Sequence, residues 1–90
     1  MQKSWFVYIV RCSDNSLYTG IAIDVKARIT QHNKGKGAKY TRSRCPVELV
    51  YTESAETKGN ALRREMQIKQ MSPTLKRELV KTARKSLLGS

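Results

Sequence analysis

Five residues in the first three-quarters of the chain carry side chains that together could cleave a phosphodiester bond. They comprise two phenols, a guanidinium, an imidazole and a carboxylate: Tyr8, Tyr18, Arg28, His32 and Glu65. A guanidinium binds phosphate oxygens, a carboxylate holds a hard divalent cation, and an imidazole or a phenol moves a proton. Each residue alone also has an ordinary structural explanation, so a catalytic interpretation requires all five to meet in one cleft.

The position of Glu65 on its predicted helix is unusual. At about 100° per residue, its carboxylate falls within the apolar side of the helix. That side is predicted to consist of Ala61, Leu62, Met66 and Ile68. Burying an unpaired carboxylate is costly, and two arrangements would avoid the cost. One is an ion pair with Lys69, four residues later, and the other is ligation of a hard cation such as Mg²⁺.

The charge of the chain predicts a polyanionic partner. Its 90 residues include 18 Lys or Arg and 7 Asp or Glu, which gives a net charge of +11. Nucleic acid is the expected partner, and an anionic membrane or acidic protein is a weaker alternative. With no apolar run of about 20 residues, no apolar secretory start and no Cys-x-x-Cys, we expect a cytoplasmic protein that neither spans a membrane nor holds structural zinc. We also expect no small-molecule cofactor.

The hydrophobic pattern predicts a single domain over residues 1–90 with one modest core. Apolar, β-branched and aromatic stretches predict three strands: 5–10, 17–21 and 47–51. Capping residues and helical spacing predict three helices: 25–33, 55–70 and 73–85. The order strand, strand, helix, strand, helix, helix indicates an α+β fold with a small, largely antiparallel three-stranded sheet flanked by helices. Residues 72–90 would form a basic helix that packs on the domain or frays in part.

Residues 34–44 are predicted to form a basic loop without any acidic residue. Its cations are Lys34, Lys36, Lys39, Arg42 and Arg44. Such side chains contact backbone phosphates and give affinity without reading sequence. Tyr40, among them, could stack on an unpaired base. A flexible, solvated loop is the alternative interpretation of the same residues.

The last helix could extend this basic surface. Its cations are Lys76, Arg77, Lys81, Arg84 and Lys85. Its apolar residues Leu75, Leu79 and Val80 are expected to pack on the sheet.

The spacing of these residues resembles that of the GIY-YIG nuclease superfamily. Phe6-Val7-Tyr8 and, after nine intervening residues, Tyr18-Thr19-Gly20 are similar to the two short strands that name the family. Phe6 and Thr19 stand where the family pattern has Gly and Ile. Arg28, His32 and Glu65 follow in the order of the remaining motif positions. The resemblance covers about residues 5 to 70.

The resemblance is closest to small single-domain bacterial members of this superfamily. It also extends, through the basic loop and residues 44–50, to the nuclease domain of structure-selective endonucleases. It implies a metal-dependent endonuclease that hydrolyses DNA with little sequence preference and favours single-stranded or branched DNA. RNA is the alternative nucleic acid. The implied cofactor is one divalent cation, Mg²⁺ or Mn²⁺, held by Glu65.

The family pattern also implies a role for each remaining residue of the set. Arg28 would bind the phosphate oxygens. Tyr8 would be the general base toward the attacking water, with Tyr18 positioning that water or sharing the proton. His32 would orient the tyrosine or carry the proton onward, and Gly20 would allow a close approach of the backbone.

Two other functions fit the same sequence. The first is a non-catalytic nucleic-acid-binding module on a nuclease-like fold, because a residual site and a working one can contain the same residues. The second is an interaction protein that uses its basic C-terminal helix on an anionic membrane or an acidic partner. That helix carries few large apolar residues and no aromatic anchor, which disfavours membrane binding.

Overall fold

The computed structural model describes residues 4–89, with side chains described as far as residue 83. Three strands are present, β1 (Trp5–Arg11), β2 (Leu17–Ala22) and β3 (Glu48–Ala55). The helices are α1 (Val25–Asn33), α2 (Lys39–Arg42), α3 (Lys58–Lys69) and α4 (Pro73–Gly89). The strands form one antiparallel sheet in the order β2-β1-β3. The predicted α+β fold is therefore confirmed.

The central strand β1 is buried on both faces of the sheet. Because side chains alternate along a strand, Tyr8 and Val10 point to one face while Val7 and Ile9 point to the other. The first face packs against α1, and the second packs against α3 and α4. The expectation of a single core is therefore wrong. The apolar run of β1 supplies two clusters, one under each layer of helices.

Local signals explain where β2 and α1 begin. Asp14 accepts hydrogen bonds from the backbone and side chain of Ser16, which closes the turn before β2. Asn15 completes the turn with a positive φ of 69°. Asp24 caps α1 by accepting from the Ala27 amide at 3.0 Å, and the helix has the predicted bounds.

The structure differs from the predicted elements most clearly in two places, the basic segment before β3 and the junction of β3 with α3. The segment predicted as a loop contains the short helix α2, whose Thr41 is fully buried. A buried tertiary contact of this kind leaves no periodic signal in a basic segment. β3 continues to Ala55, which pairs with Trp5, so the helix predicted from residue 55 begins only at Lys58. Thr57 caps it by accepting from the Asn60 amide.

The buried face of α3 is rotated from the predicted one. Ala61 and Ile68 are fully buried, whereas Leu62 is 44% exposed and Met66 is 62% exposed. Including Leu62 and Met66 in the apolar side was therefore wrong, and Glu65 lies at the margin of the buried face rather than within it. The reason is that α3 packs on the β1 and β2 side chains, which select the Ala61 and Ile68 edge of the helix.

Helix α4 packs on the second cluster through Leu79 and Val80, as expected. Leu75 is exposed, which contradicts its predicted packing on the sheet. The predicted basic residues Arg84 and Lys85 lie outside the described side chains. Within the described residues, no helix combines the length and the apolar character that crossing a membrane requires.

Candidate active site

A buried chain of hydrogen bonds links Tyr8 on β1 to Thr41 on α2 through His32 on α1. The Tyr8 hydroxyl lies 2.8 Å from His32 Nε2, and His32 Nδ1 lies 2.7 Å from Thr41 Oγ1. Thr41 Oγ1 donates its proton to the Ala38 carbonyl at 2.9 Å, because a carbonyl can only accept. Thr41 Oγ1 therefore accepts from His32 Nδ1. In neutral His32 the proton is on Nδ1, so Nε2 accepts from the Tyr8 hydroxyl.

The environment favours the neutral form of both rings. Burial lowers the pKa of His32 below its ordinary value of 6.5, and the positive charge of Arg28 lowers it further. Burial raises the pKa of Tyr8 above 10.0, and the guanidinium of Arg28 opposes this shift. Near pH 7 the phenol thus keeps its proton and donates it in a hydrogen bond to the lone pair of His32 Nε2. This arrangement allows Tyr8 to pass its proton to His32 when it receives one from elsewhere.

Two glycines make room for this pair. Gly20 on β2 lies opposite Tyr8 in the sheet register, and a Cβ there would lie 2.6 Å from the Tyr8 hydroxyl oxygen. A Cβ on Gly37 would lie 2.2 Å from His32 Nδ1. Both distances are shorter than real contacts, so neither position has space for a side chain. Gly20 thus allows the Tyr8 side chain to lie close to the backbone of β2.

Tyr18, the second phenol, lies against the same imidazole. Its ring is 5.6 Å from the His32 ring in an edge-on arrangement. On β2 it also stacks with Tyr40 of α2, with ring centroids 5.9 Å apart and planes inclined by 21°. The Arg44 guanidinium lies 4.0 Å from the centroid of the Tyr40 ring. The aromatic residue expected to meet a base is therefore already stacked on a predicted site residue.

The carboxylate of Glu65 approaches the site from α3. It is paired with Lys69 Nζ at 3.4 Å, and its side chain is 18% exposed. The Lys69 ammonium also lies 5.8 Å from the Tyr18 ring centroid. The ion pair considered from the sequence is thus present. Because the charge of Glu65 raises the pKa of Tyr8, the carboxylate also lies within electrostatic range of that hydroxyl.

The structure places three of the five predicted site residues in direct contact: Tyr8, Tyr18 and His32. The other two, Arg28 and Glu65, lie within electrostatic range of the Tyr8 hydroxyl. Arg28 is half-buried and donates to Gln31 Oε1 at 3.0 Å. The catalytic role of each residue stays a prediction.

The basic residues near the site divide into two kinds. Four are exposed and available to a ligand: Lys34, Lys36, Lys39 and Arg42. Arg44 is bound within the protein, because it donates to Asp14 Oδ2 at 3.0 Å and to the Tyr40 carbonyl at 2.7 Å. Its first role is to hold α2 against the turn before β2.

Several supporting residues had no signal in the sequence. Thr41, Gly37 and Cys45 all contact His32, the last through a thiol that lies 2.9 Å from the His32 carbonyl. Asn33 exchanges two hydrogen bonds with the Val47 backbone, which secures the end of α1. Polar and small residues in a basic segment reveal such contacts only after the chain has folded.

The donor set fits a cation that takes most of its ligands from elsewhere. Among the described residues, no group of three His, Cys, Asp or Glu side chains could hold a metal ion. Glu65 supplies carboxylate oxygens, which Mg²⁺ and Mn²⁺ prefer. Mg²⁺ is often held by only one or two carboxylates together with substrate phosphates and water. Glu65 fits that pattern once Lys69 moves away from it.

A family model for the GIY-YIG catalytic domain matches residues 4–78. A UPF0213 protein of Desulfotalea psychrophila is 57% identical over 85 residues, which cover 93% of this chain and 77% of that protein. A UPF0213 protein of Staphylococcus aureus is 59% identical over 78 residues, which cover 87% of this chain and 95% of that protein.

Two structures solved by NMR in solution are also similar. The UPF0213 protein of Bacillus halodurans is 45% identical with a TM-score of 0.56, and the match covers 97% of this chain and 87% of that one. A protein of E. faecalis is 36% identical with a TM-score of 0.62, and the match covers 92% and 88%.

Proposed function

This chain belongs to the GIY-YIG catalytic domain family, and on that premise we propose that it is a metal-dependent endonuclease that hydrolyses DNA with little sequence preference. The observation that carries the proposal is the hydrogen bond of 2.8 Å between the Tyr8 hydroxyl and His32 Nε2. Tyr18 lies edge-on to the same imidazole, and Arg28 and Glu65 lie within electrostatic range of that hydroxyl. A phosphodiester placed there would meet a proton acceptor, a fixed cation and a metal ligand together.

The proton path follows from the tautomer of His32. A water molecule, positioned by Tyr18, attacks the phosphorus and gives its proton to the Tyr8 oxygen. The phenol proton passes at the same time to His32 Nε2, so Tyr8 stays neutral and His32 becomes positively charged. The bond from phosphorus to the leaving 3′ oxygen breaks, and that oxygen takes a proton from solvent. His32 then returns its extra proton to solvent through the Tyr8 hydroxyl.

Arg28 and Glu65 would stabilise the charge that develops on the phosphate. The planar guanidinium of Arg28 suits paired hydrogen bonds to two phosphate oxygens. Glu65 would hold Mg²⁺ or Mn²⁺, which would supply Lewis-acid stabilisation of negative charge at the leaving oxygen. The ammonium of Lys69 occupies Glu65 in the isolated chain and would leave it for a phosphate.

The test is DNA cleavage by purified protein. Supercoiled, single-stranded and branched DNA would be incubated in Mg²⁺ or Mn²⁺ with wild-type protein, Arg28→Ala and Glu65→Ala. We expect the wild-type protein to cleave DNA and EDTA to abolish this cleavage. Both variants should lose the activity. Lys58→Ala is the matched control, because this exposed cation lies beside Trp5 at the far end of β1. Cleavage by all four proteins at one rate would contradict the proposal.

The ion pair between Glu65 and Lys69 favours a second candidate, a nucleic-acid-binding module without catalysis. A carboxylate held by a lysine has no need of a metal, and the raised pKa of Tyr8 disfavours its use as a base. Such a module would bind DNA with a salt slope of roughly −0.9 per duplex phosphate contacted. Tight, salt-sensitive binding together with no cleavage in either metal would support this candidate over the enzyme.

A further inference from the structure

Two cavities adjoin along helix α4, and they form what we call the α4 groove. One, of about 330 Å³, lies between Tyr40 of α2 and Lys76 of α4. The other, of about 320 Å³, lies between Arg11 at the end of β1 and Lys81 of α4. Both cavities include Arg77 in their lining. We infer that this groove binds a single-stranded segment of nucleic acid that continues from the candidate active site.

The charge of the groove fits a polyphosphate backbone. Its cations are Arg11, Lys76, Arg77 and Lys81. Among the described residues that line it, none is acidic. Arg77 and Lys81 lie four residues apart on α4 and so project from the same side of the helix. Arg11 pairs with Glu48, but the side chains are 43% and 64% exposed, and pairs in contact with solvent are weak and easily exchanged for a phosphate.

The rest of the lining selects unpaired bases. Leu17, Val50 and Val80 provide an apolar floor, and Tyr40, 39% exposed, stands at one end. In a duplex the faces of the bases are stacked on one another, so a duplex presents phosphates, sugars and base edges, but no base faces, to such a floor. An unstacked strand can place its bases on these apolar side chains while its phosphates meet the cations. The combination therefore favours a single strand over a duplex.

Tyr40 connects the groove to the candidate active site through contacts between rings. Tyr40 stacks on Tyr18, and Tyr18 lies edge-on to His32 at 5.6 Å. A strand whose phosphate lies between Arg28 and the Tyr8 hydroxyl would pass over Tyr40 and enter the groove. This part of the inference rests on the proposed function, because it takes the Tyr8 hydroxyl as the place of cleavage.

The test compares two pairs of substitutions that remove the same charge. Arg77→Gln with Lys81→Gln alters the groove, and Lys26→Gln with Lys58→Gln is the control. Lys58 lies over the ring of Trp5 and Lys26 lines a cavity together with Phe6, so both lie toward the opposite end of β1 from Arg11. A strand of that length separates the two regions by about 20 Å. Thermal unfolding checks that both proteins are folded before binding is compared.

Binding would be measured by fluorescence anisotropy with a labelled 12-nucleotide single strand, and with the corresponding duplex, in EDTA. A single strand loses about 5-fold in affinity per phosphate contact removed at 0.1 M salt, so the groove pair should weaken binding about 25-fold. Its salt slope should fall by about 1.4. The control pair should weaken binding of the single strand far less, and the two pairs should weaken duplex binding equally.

Equal effects of the two pairs on the single strand would overturn the inference, and so would an equally large effect of the groove pair on the duplex. The result is independent of cleavage, because EDTA removes the metal. Binding that depends on the groove, in a protein that does not cleave DNA, would leave the groove standing and overturn the proposed function. If the wild-type protein cleaves DNA but the groove pair of substitutions weakens binding no more than the control pair, the proposed function stands and the groove inference is overturned.

Discussion

Replacing Tyr8 by Phe removes one oxygen from the centre of the candidate site and leaves the ring in place. The hydroxyl donates to His32 Nε2 at 2.8 Å, and His32 is fully buried, so removing the hydroxyl leaves a buried acceptor without its donor. An unsatisfied buried acceptor costs about 1–3 kcal/mol. In a domain of this size, a loss near the middle of that range lowers Tm by roughly 8–16 °C.

Tyr51→Phe is the matched control for stability. Its hydroxyl donates to Glu53 Oε1 at 2.8 Å on β3, away from the His32 ring. Glu53 keeps its hydrogen bond from Arg64 Nε at 2.8 Å when that hydroxyl is removed. No acceptor is left without a donor, so the control should lose at most about 1 kcal/mol.

The assays are thermal unfolding by circular dichroism, cleavage of supercoiled plasmid, and DNA binding in EDTA. Loss of a general base lowers the rate by about 10²–10⁴-fold, so Tyr8→Phe should cleave that much more slowly while binding DNA like wild type. A Tm equal to that of Tyr51→Phe would refute the buried hydrogen bond. Cleavage at the wild-type rate would refute the role of the phenol in proton transfer.

Three further changes test the surroundings of that hydroxyl. Because the pKa of His32 is below 6.5 in the folded chain, the unfolded chain binds a proton first as the pH falls. The free energy of unfolding, measured with urea, should therefore drop below pH 6.5 by up to about 1.4 kcal/mol per pH unit. His32→Gln should lack this drop. Gly20→Ala, whose Cβ would lie 2.6 Å from the phenol oxygen, should lose about 1–3 kcal/mol, whereas Gly59→Ala in α3, with its nearest atom at 3.8 Å, should gain about 0.5–1 kcal/mol. Lys69→Gln, which frees Glu65, should lower the Mg²⁺ concentration needed for half-maximal cleavage.

Each of these predictions has a result that contradicts it. The urea series ends at pH 5.5, above the range in which Asp14 titrates, since the pKa of Asp14 lies below 3.8. A free energy of unfolding that is constant from pH 7.5 to 5.5 would mean that His32 is not buried in its neutral form. Equal losses in the two glycine variants would exclude a specific contact with the phenol. An unchanged Mg²⁺ requirement in Lys69→Gln would separate the ion pair from metal binding.

Local signals were sufficient for most elements. The run from Trp5 to Val10 and the cap at Asp24 predict β1 and α1, because a strand and a helix start depend on residues that are neighbours in sequence. The same reasoning failed where the extent of an element depends on contacts with residues far away in the sequence. β3 extends to Ala55 because β1 is there to pair with it, and α2 forms where Thr41 is buried beneath His32.

The types of residue in the candidate site, and their order along the chain, could be predicted from the sequence through the resemblance to a known family. Their supporting contacts could not. Gly37, Thr41 and Cys45 are separated from His32 by 5, 9 and 13 positions, and no periodicity connects them. The ion pair of Glu65 with Lys69 was foreseeable, because four residues along a helix bring two side chains together.

The sequence by itself determined the charge, the element types and the residues available for chemistry, since these depend on composition and on neighbours along the chain. Only the tertiary structure decided which groups share one proton. The hydroxyl of Tyr8 meets His32, 24 positions away, because β1 places one ring and α1 the other on the same face of the sheet. Hydrogen bonds require contact within about 3 Å, and that distance is set by packing between elements.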